Sequence, residues 1–262
     1  MGPQPNKIIS EAEAARIWTT YGFRRPQDLV LEDLALAMGV VVIDGRLDSS
    51  VARLVRSGDR GLVRVSDAIR EPGRRRFAIA HELGHWILHE KVTHLLACTD
   101  ADMLASYRAS SLEIEASIFA GNLLMPGHLF AADIANKRPT TDLLKALADR
   151  YSTSLTATAL RYVETTEDYC VFVVSENNRI RWWRASRAFG NHELWIENKT
   201  TLPRHSAAAC FFRSEPVPAR PLRVDLRDWL GNDLRGIDSD TVLEQAIPLT
   251  AYRQVLSMIW LP

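Results

Sequence analysis

The fold of this chain is decided by residues 76–89, which read RFAIAHELGHWILH and contain the motif His-Glu-x-x-His at His81, Glu82 and His85. In a helix, residues four positions apart lie on the same face, so both imidazoles can reach a single metal ion. Glu82 lies beside them, which suits a general base acting on a water that zinc has brought to a pKa of about 7. The motif therefore predicts a zinc-dependent peptidase.

The sequence around the motif supports a helix that lies half-buried against a core. Pro72 is a plausible first residue for it, and six apolar side chains would form its wall, namely Ala78, Ile79, Leu83, Trp86, Ile87 and Leu88. The alternative is a helix whose histidines have no metal and whose glutamate is solvated. A chance match to the three fixed positions is a roughly 1% event for a chain of ordinary composition.

His89 continues the series of histidines four residues apart, but the geometry argues against a third ligand at this position. It lies roughly 12 Å along the helix axis from His81, at about 1.5 Å per residue. Metal–nitrogen bonds are only about 2.0–2.1 Å long. We expect His89 to support the site or the structure rather than to bind the metal.

The third ligand is expected from a second helix, residues 113–126, which ends at Pro126. Glu113 and Glu115 near its start are the available carboxylates. A site with two histidines and one glutamate leaves the fourth position of zinc open for water. Spacing alone does not choose between the two glutamates.

Residues 76–89 and 115–126 together resemble the ImmA/IrrE family of metallopeptidases. The second segment matches the family pattern of Glu-Ala, a small polar residue, Phe-Ala and a closing Leu-Leu-Met-Pro. Ser117 is a departure, since Asn is common at that position. The resemblance extends over roughly residues 27–165.

The resemblance implies a gluzincin-like fold in which His81, His85 and Glu115 bind zinc and Glu82 is the catalytic base. It implies one Zn²⁺ per chain, with Mn²⁺ or another divalent ion as the alternative. It also implies a protein substrate, because members of the family cut helix–turn–helix repressors and so switch on stress or mobile-element genes.

Composition is that of an ordinary globular protein of 262 residues, with 32 basic and 32 acidic side chains. A net charge of zero provides no electrostatic signature of nucleic-acid binding. Three widely spaced cysteines fit reduced thiols better than disulfides, and no stretch is apolar enough for a membrane span. We expect a cytoplasmic protein.

The residues before the motif predict a small sheet, the arrangement expected of zincins. Residues 40–43 predict a buried strand, and residues 51–56 and 62–65 flank a glycine-containing turn typical of a hairpin. Residues 90–112 have little periodicity and are expected to form a loop over the active-site cleft.

Residues 142–151 and 155–163 predict two helices joined by a short turn, a helix–turn–helix pattern. The second helix offers Arg161 as its one basic side chain and no Asn or Gln to read bases. Direct binding of nucleic acid is therefore disfavoured, and we expect these helices to pack beside the catalytic domain.

The last part of the chain has the pattern of an α+β domain. Residues 169–174 and 179–184 predict strands, and residues 207–212 form a third short apolar run in this strand-rich region. Residues 242–249 and 254–261 predict a closing hairpin.

The sequence thus predicts an α+β chain of three parts: a zincin-like metallopeptidase domain (1–135), a helix–turn–helix-like segment packed on it (136–166) and a C-terminal α+β domain that could be a sensor (167–262). The predicted function is a zinc-dependent, site-specific endopeptidase that cleaves a helix–turn–helix repressor. The alternative is a regulator without catalytic activity that titrates its partner, with a structural or vestigial metal site.

Overall fold

The computed structural model of the chain describes residues 4–48, 50–89, 96–98, 110–191, 196–230 and 237–262, with the backbone alone for 96–98 and 190–191. The chain folds as two compact units, each formed by two segments. Unit 1 is Met1–Leu129 with Ala148–Ser154, and unit 2 is Phe130–Leu147 with Leu155–Pro262. The division of the sequence into three parts remains a prediction.

Helices account for roughly half of the described part of unit 1. They are α1 (Lys7–Thr20), α2 (Leu31–Ala37), α3 (Pro72–Leu88), α4 (Ser111–Leu124) and the start of α5 (Gly127–Ile134), with a short 3₁₀ helix at Pro26–Asp28. The motif helix begins at Pro72, as the sequence predicts. At the N-cap of α1, the side chain of Asn6 accepts a hydrogen bond from the backbone N–H of Ile9.

The sheet of unit 1 contains β1 (Val40–Gly45), β2 (Ala52–Ser57), β3 (Arg60–Ser66) and β4 (Leu96–Cys98), in the order β1-β3-β2-β4. The predicted hairpin is confirmed, since β2 and β3 pair antiparallel. The predicted strand at residues 40–43 is confirmed as part of β1, but the prediction that it is buried is wrong. Among the described residues, β1 lies at the edge of the sheet, parallel to β3, and Val41 is 48% exposed.

The helices α3 and α4 pack unusually closely at Gly84. A Cβ atom at this position would lie 3.0 Å from the Cα of Ala116 and 3.1 Å from the ring of Phe119. At the other end of α4, the indole N–H of Trp18 in α1 donates a buried 2.8 Å hydrogen bond to the carbonyl of Leu123. These contacts fix where the first turn of α4 lies along α3.

The predicted helix–turn–helix pattern is present as α6 (Thr141–Tyr151) and α7 (Leu155–Thr165), joined by three residues. Arg161, the basic side chain that the sequence singles out on the second helix, is 8% exposed and lies 3.5 Å from the carboxylate of Glu164. It is therefore poorly placed to read a base.

Unit 2 contains an antiparallel five-stranded sheet in the order β6-β5-β9-β8-β7. Its strands are β5 (Cys170–Glu176), β6 (Arg179–Ala185), β7 (Leu222–Asp225), β8 (Thr241–Leu249) and β9 (Gln254–Trp260), and its short helices are α8 (Ala207–Phe212) and α9 (Leu226–Leu230). Two 3₁₀ helices lie at Arg187–Asn191 and Thr250–Tyr252. The closing hairpin is confirmed as β8 and β9, and so is the α+β fold class.

The apolar run at residues 207–212 forms a helix, although its strand-rich surroundings favoured a strand. Ser206 caps it by accepting a 3.1 Å hydrogen bond from the N–H of Ala209. The buried carboxylate of Glu244, far away in sequence, accepts from the N–H groups of Ala207 and Ala208.

Among the described residues, no helix combines the length and the apolarity that a membrane span requires.

Candidate metal centre

Three donor atoms on two helices of unit 1 converge on one point. The Nε2 atoms of His81 and His85 on α3 are 3.1 Å apart. The Glu113 carboxylate on α4 lies 3.0 Å from the first of these and 3.3 Å from the second. The two histidine side chains are almost completely buried, whereas that of Glu113 is 12% exposed.

Local structure explains why these residues meet. His81 and His85 are one helical turn apart and share a face of α3. Glu113 lies in the first turn of α4, and the N-cap residue Ser110 accepts a hydrogen bond from its backbone N–H. Because Gly84 has no side chain, α4 approaches α3 closely enough for Glu113 to reach both imidazoles.

The arrangement fits a divalent metal ion such as zinc. Bonds of about 2.0–2.1 Å in a tetrahedral site place neighbouring ligand atoms about 3.3 Å apart. The two Nε2 atoms are 3.1 Å apart, and they lie 3.0 and 3.3 Å from the two carboxylate oxygens of Glu113, His81 from Oε2 and His85 from Oε1. Two imidazoles and one carboxylate are also the donor set of catalytic zinc sites that keep one position open. His81, His85 and Glu113 therefore form a group that could hold a metal ion.

The contacts with the two histidines also determine the protonation state of Glu113. Burial alone would raise the pKa of this carboxyl, but its hydrogen bonds to His81 and His85 outweigh burial and hold the pKa far below its usual value. Glu113 is thus a carboxylate, the form that binds metal.

The outer ring nitrogens of both histidines contact further side chains. The Nδ1 of His81 lies 3.2 Å from the hydroxyl of Ser117, the position at which the family resemblance expects Asn. The Nδ1 of His85 lies 3.0 Å from the Nδ1 of His89. Burial lowers the pKa of His89, although its contact with Glu115 opposes this shift.

The structure does not bring Glu115 to the histidine pair, which differs from the ligand set implied by the resemblance. One oxygen of Glu115 lies 2.8 Å from the Nε2 of His89, and the other accepts a 2.7 Å hydrogen bond from the backbone N–H of Asn6. The carboxylate beside the histidine pair is therefore that of Glu113 and not that of Glu115. The spacing in the sequence did not choose between Glu113 and Glu115 as the third ligand.

Glu82, the expected base, is completely buried on α3, one residue after His81. Most of the segment expected to cover the cleft, residues 90–95 and 99–109, lies outside the described residues. The contact of His89 with His85 agrees with the supporting role that the sequence predicts for His89. The contact of Ser117 with His81 is not predicted by the sequence.

A small sheet packed with a motif helix and a second, ligand-bearing helix defines the class: this is a zincin-like fold. Residues 35–162 match the family model of the IrrE N-terminal-like domain, Peptidase_M78. This part of the chain belongs to that family, which confirms the resemblance found in the sequence and supports a metallopeptidase or regulatory role.

One solved structure with a similar fold is described as a Mycobacterium tuberculosis transcriptional regulator. It is 17% identical, with a TM-score of 0.59, and the match covers 96% of this chain and 76% of the other. At this identity the likeness concerns the fold alone. No curated protein sequence matches the chain.

Proposed function

We propose that the chain is a zinc-dependent, site-specific endopeptidase that cleaves a helix–turn–helix transcriptional repressor and thereby derepresses stress-response or mobile-element genes. In the proposed site, His81, His85 and Glu113 bind the metal and Glu82 is the base. The observation that carries the proposal is the convergence of these three ligands on the two helices of a zincin-like fold. The repressor substrate is supported by the family resemblance.

Each residue of the site has a distinct role in peptide hydrolysis. A zinc ion bound there would supply Lewis acidity and a water of pKa about 7. Glu82 takes a proton from the attacking water and passes it to the leaving amine as the peptide bond breaks. His81, His85 and Glu113 would hold the ion, and the burial of the two histidine side chains limits their contact with bulk water.

The test compares cells that produce the wild-type protein with cells that produce Glu82→Gln, by mapping new protein N-termini with mass spectrometry, with and without stress. Glu82→Gln keeps the size and burial of the side chain but cannot accept the proton, so cleavage should fall by about 10²–10⁴-fold. Zinc binding by the purified variant should be unchanged. Glu167→Gln, at an exposed position in unit 2, is the matched control and should cleave normally.

A new terminus in one helix–turn–helix protein, seen with wild type and Glu167→Gln but absent with Glu82→Gln, would establish both chemistry and substrate. Equal cleavage by Glu82→Gln would contradict the assignment of the base.

A second candidate is a regulator that binds a repressor without cutting it, which the description of the structural neighbour as a transcriptional regulator favours. This function would leave N-termini unchanged under every condition, while wild type and Glu82→Gln retain the same partner equally well. Such a result would replace the peptidase proposal.

A further inference from the structure

A line of polar contacts leads away from the metal centre and is not needed to bind the ion directly. It runs from the outer nitrogen of His85 to His89 at 3.0 Å, from His89 to Glu115 at 2.8 Å, and from Glu115 to the backbone N–H of Asn6 at 2.7 Å. The line joins the C-cap of α3, the second turn of α4 and the N-cap of α1. Through His85, the metal centre is thus connected to Glu115 and Asn6, which are distant from it in sequence.

The hydrogens along this line have one consistent arrangement when His85 binds a metal. A ligand imidazole uses its Nε2 lone pair for the ion, so its hydrogen is on Nδ1 and is donated to the bare Nδ1 of His89. The hydrogen of neutral His89 is then on Nε2 and is donated to the carboxylate of Glu115. The other oxygen of Glu115 accepts from Asn6, so every group has a complementary partner.

Burial strengthens the contacts of His89 with His85 and Glu115, whereas Asn6 at the end of the line is exposed. The side chain of His89 is 4% exposed and that of Glu115 is 16% exposed, so water competes weakly for them. Outer partners of this kind fix the tautomer and the ring orientation of a ligand histidine, and their loss typically weakens metal binding by about 10–100-fold.

We infer that His89 and Glu115 are positioning residues, which hold the His85 ring with its Nε2 directed at the metal, and that the N–H of Asn6 in turn holds Glu115. The inference rests on the metal site of the proposed function. It gives Glu115 a role different from that of a ligand, and it couples the start of α1 to the metal centre.

The experiment measures the zinc dissociation constant of the purified full-length protein by competition with a chromophoric chelator, using zinc chloride. Glu115→Ala and His89→Phe should each weaken zinc binding by about 10–100-fold. The double variant should be no weaker than the weaker single variant, because both act through the same contacts. Glu167→Ala should bind like wild type.

A conservative change separates positioning from a general loss of structure. Glu115→Gln keeps an oxygen that can accept from His89 but loses the charge, so its zinc affinity should lie between those of wild type and Glu115→Ala. In the visible spectrum of the Co²⁺-loaded protein, the bands set by the ligands should persist in Glu115→Ala and disappear in Glu113→Ala.

The contribution of Asn6 is tested with two variants of the same residue. Asn6→Pro removes the N–H that Glu115 accepts, whereas Asn6→Ala keeps this N–H and loses only the capping side chain. Zinc binding should be weaker in Asn6→Pro than in Asn6→Ala.

The outcomes distinguish this inference from the function on which it rests. Wild type that does not bind zinc would overturn both. Wild type that binds zinc while His89→Phe and Glu115→Ala bind it equally well would overturn the positioning line alone. Loss of the cobalt bands in Glu115→Ala, with their persistence in Glu113→Ala, would make Glu115 the ligand and overturn the inference.

Discussion

Glu113 in unit 1 and Glu244 in unit 2 are glutamates that are largely removed from water, and their partners differ in kind. Glu113 faces the ring nitrogens of two histidines and keeps 12% of its side chain exposed. Glu244 is completely buried. Its carboxylate accepts three hydrogen bonds of 3.0–3.1 Å, from the backbone N–H groups of Ala207 and Ala208 and the indole of Trp229.

The two pKa values are shifted in opposite directions, because the balance between burial and hydrogen bonding differs at the two sites. For Glu113, the contacts with histidine outweigh burial and the pKa falls. For Glu244, burial outweighs the hydrogen bonds and the pKa rises. A neutral imidazole can present a lone pair to a metal ion, but a backbone or indole N–H presents only its hydrogen. A glutamate side chain is therefore part of a candidate metal centre at position 113 in unit 1, whereas at position 244 in unit 2 it makes a structural contact.

The largest expected effect is the loss of zinc binding in Glu113→Ala. Loss of a residue that only contacts a ligand typically weakens metal binding by about 10–100-fold. Removal of the ligand itself should weaken zinc binding by more than this. Glu244→Gln should bind zinc like wild type. The chelator competition described above measures both, and equal affinity of Glu113→Ala and wild type would remove Glu113 from the site.

Glu244→Ala should have the opposite pattern, with normal zinc affinity and reduced stability. It leaves three buried N–H groups without their acceptor, and each such group costs about 1–3 kcal/mol. The free energy of unfolding, from urea titrations of the metal-free protein, should fall by at least about 2 kcal/mol. A variant as stable as wild type would show that these hydrogen bonds contribute little.

Gly84→Ala tests the close helix contact that brings Glu113, but not Glu244, to its partners. The added Cβ would lie 3.0 Å from the Cα of Ala116, so we expect a loss of about 1–3 kcal/mol in stability together with weaker zinc binding. Gly121→Ala on α4 is the matched control, because its Cβ would meet nothing within 4 Å. That change should stabilise the helix by up to about 1 kcal/mol. Equal behaviour of the two variants would contradict the packing argument.

The smallest expected effect is a pH dependence of stability that comes from Glu244. Its pKa in the folded chain is raised above the ordinary value of 4.5, so its contribution to stability is fully present below about pH 4.5 and is lost as the pH rises through the folded pKa. The neutral amide of Glu244→Gln does not titrate. The stability of wild type relative to Glu244→Gln should therefore decrease with rising pH in urea titrations, and an increase would contradict the direction of the shift.

The sequence predicted the features that depend on local spacing. A separation of four residues places His81 and His85 on one face of a helix, and Pro72 indicates where that helix begins. The hairpins of both sheets follow from apolar runs that flank turn residues. In each case the residues that determine the structure are neighbours in the chain.

The choice between Glu113 and Glu115 depends on how α4 is rotated about its axis, which spacing within α4 does not show. The rotation is set by Ala116, which packs on Gly84. Glu113 and Ser117, four residues apart, lie on the side of Ala116 that faces the histidine pair, while Glu115 lies on the other side and reaches His89. The small residues at positions 84 and 116 were the available signal.

The helix at residues 207–212 was not predicted because it also depends on a residue that is distant in sequence. Its N-terminal N–H groups are satisfied by Glu244, which is 36 and 37 residues away. An apolar run considered with its neighbours alone does not reveal such a partner.

X-ray diffraction from crystals of the zinc-loaded protein, with anomalous data at the zinc edge, would locate the metal and identify its ligands. We expect one anomalous peak about 2.0–2.2 Å from the Nε2 atoms of His81 and His85 and from the carboxylate of Glu113, with Glu115 in contact with His89. A peak coordinated by Glu115, or no peak between the two histidines, would contradict this expectation.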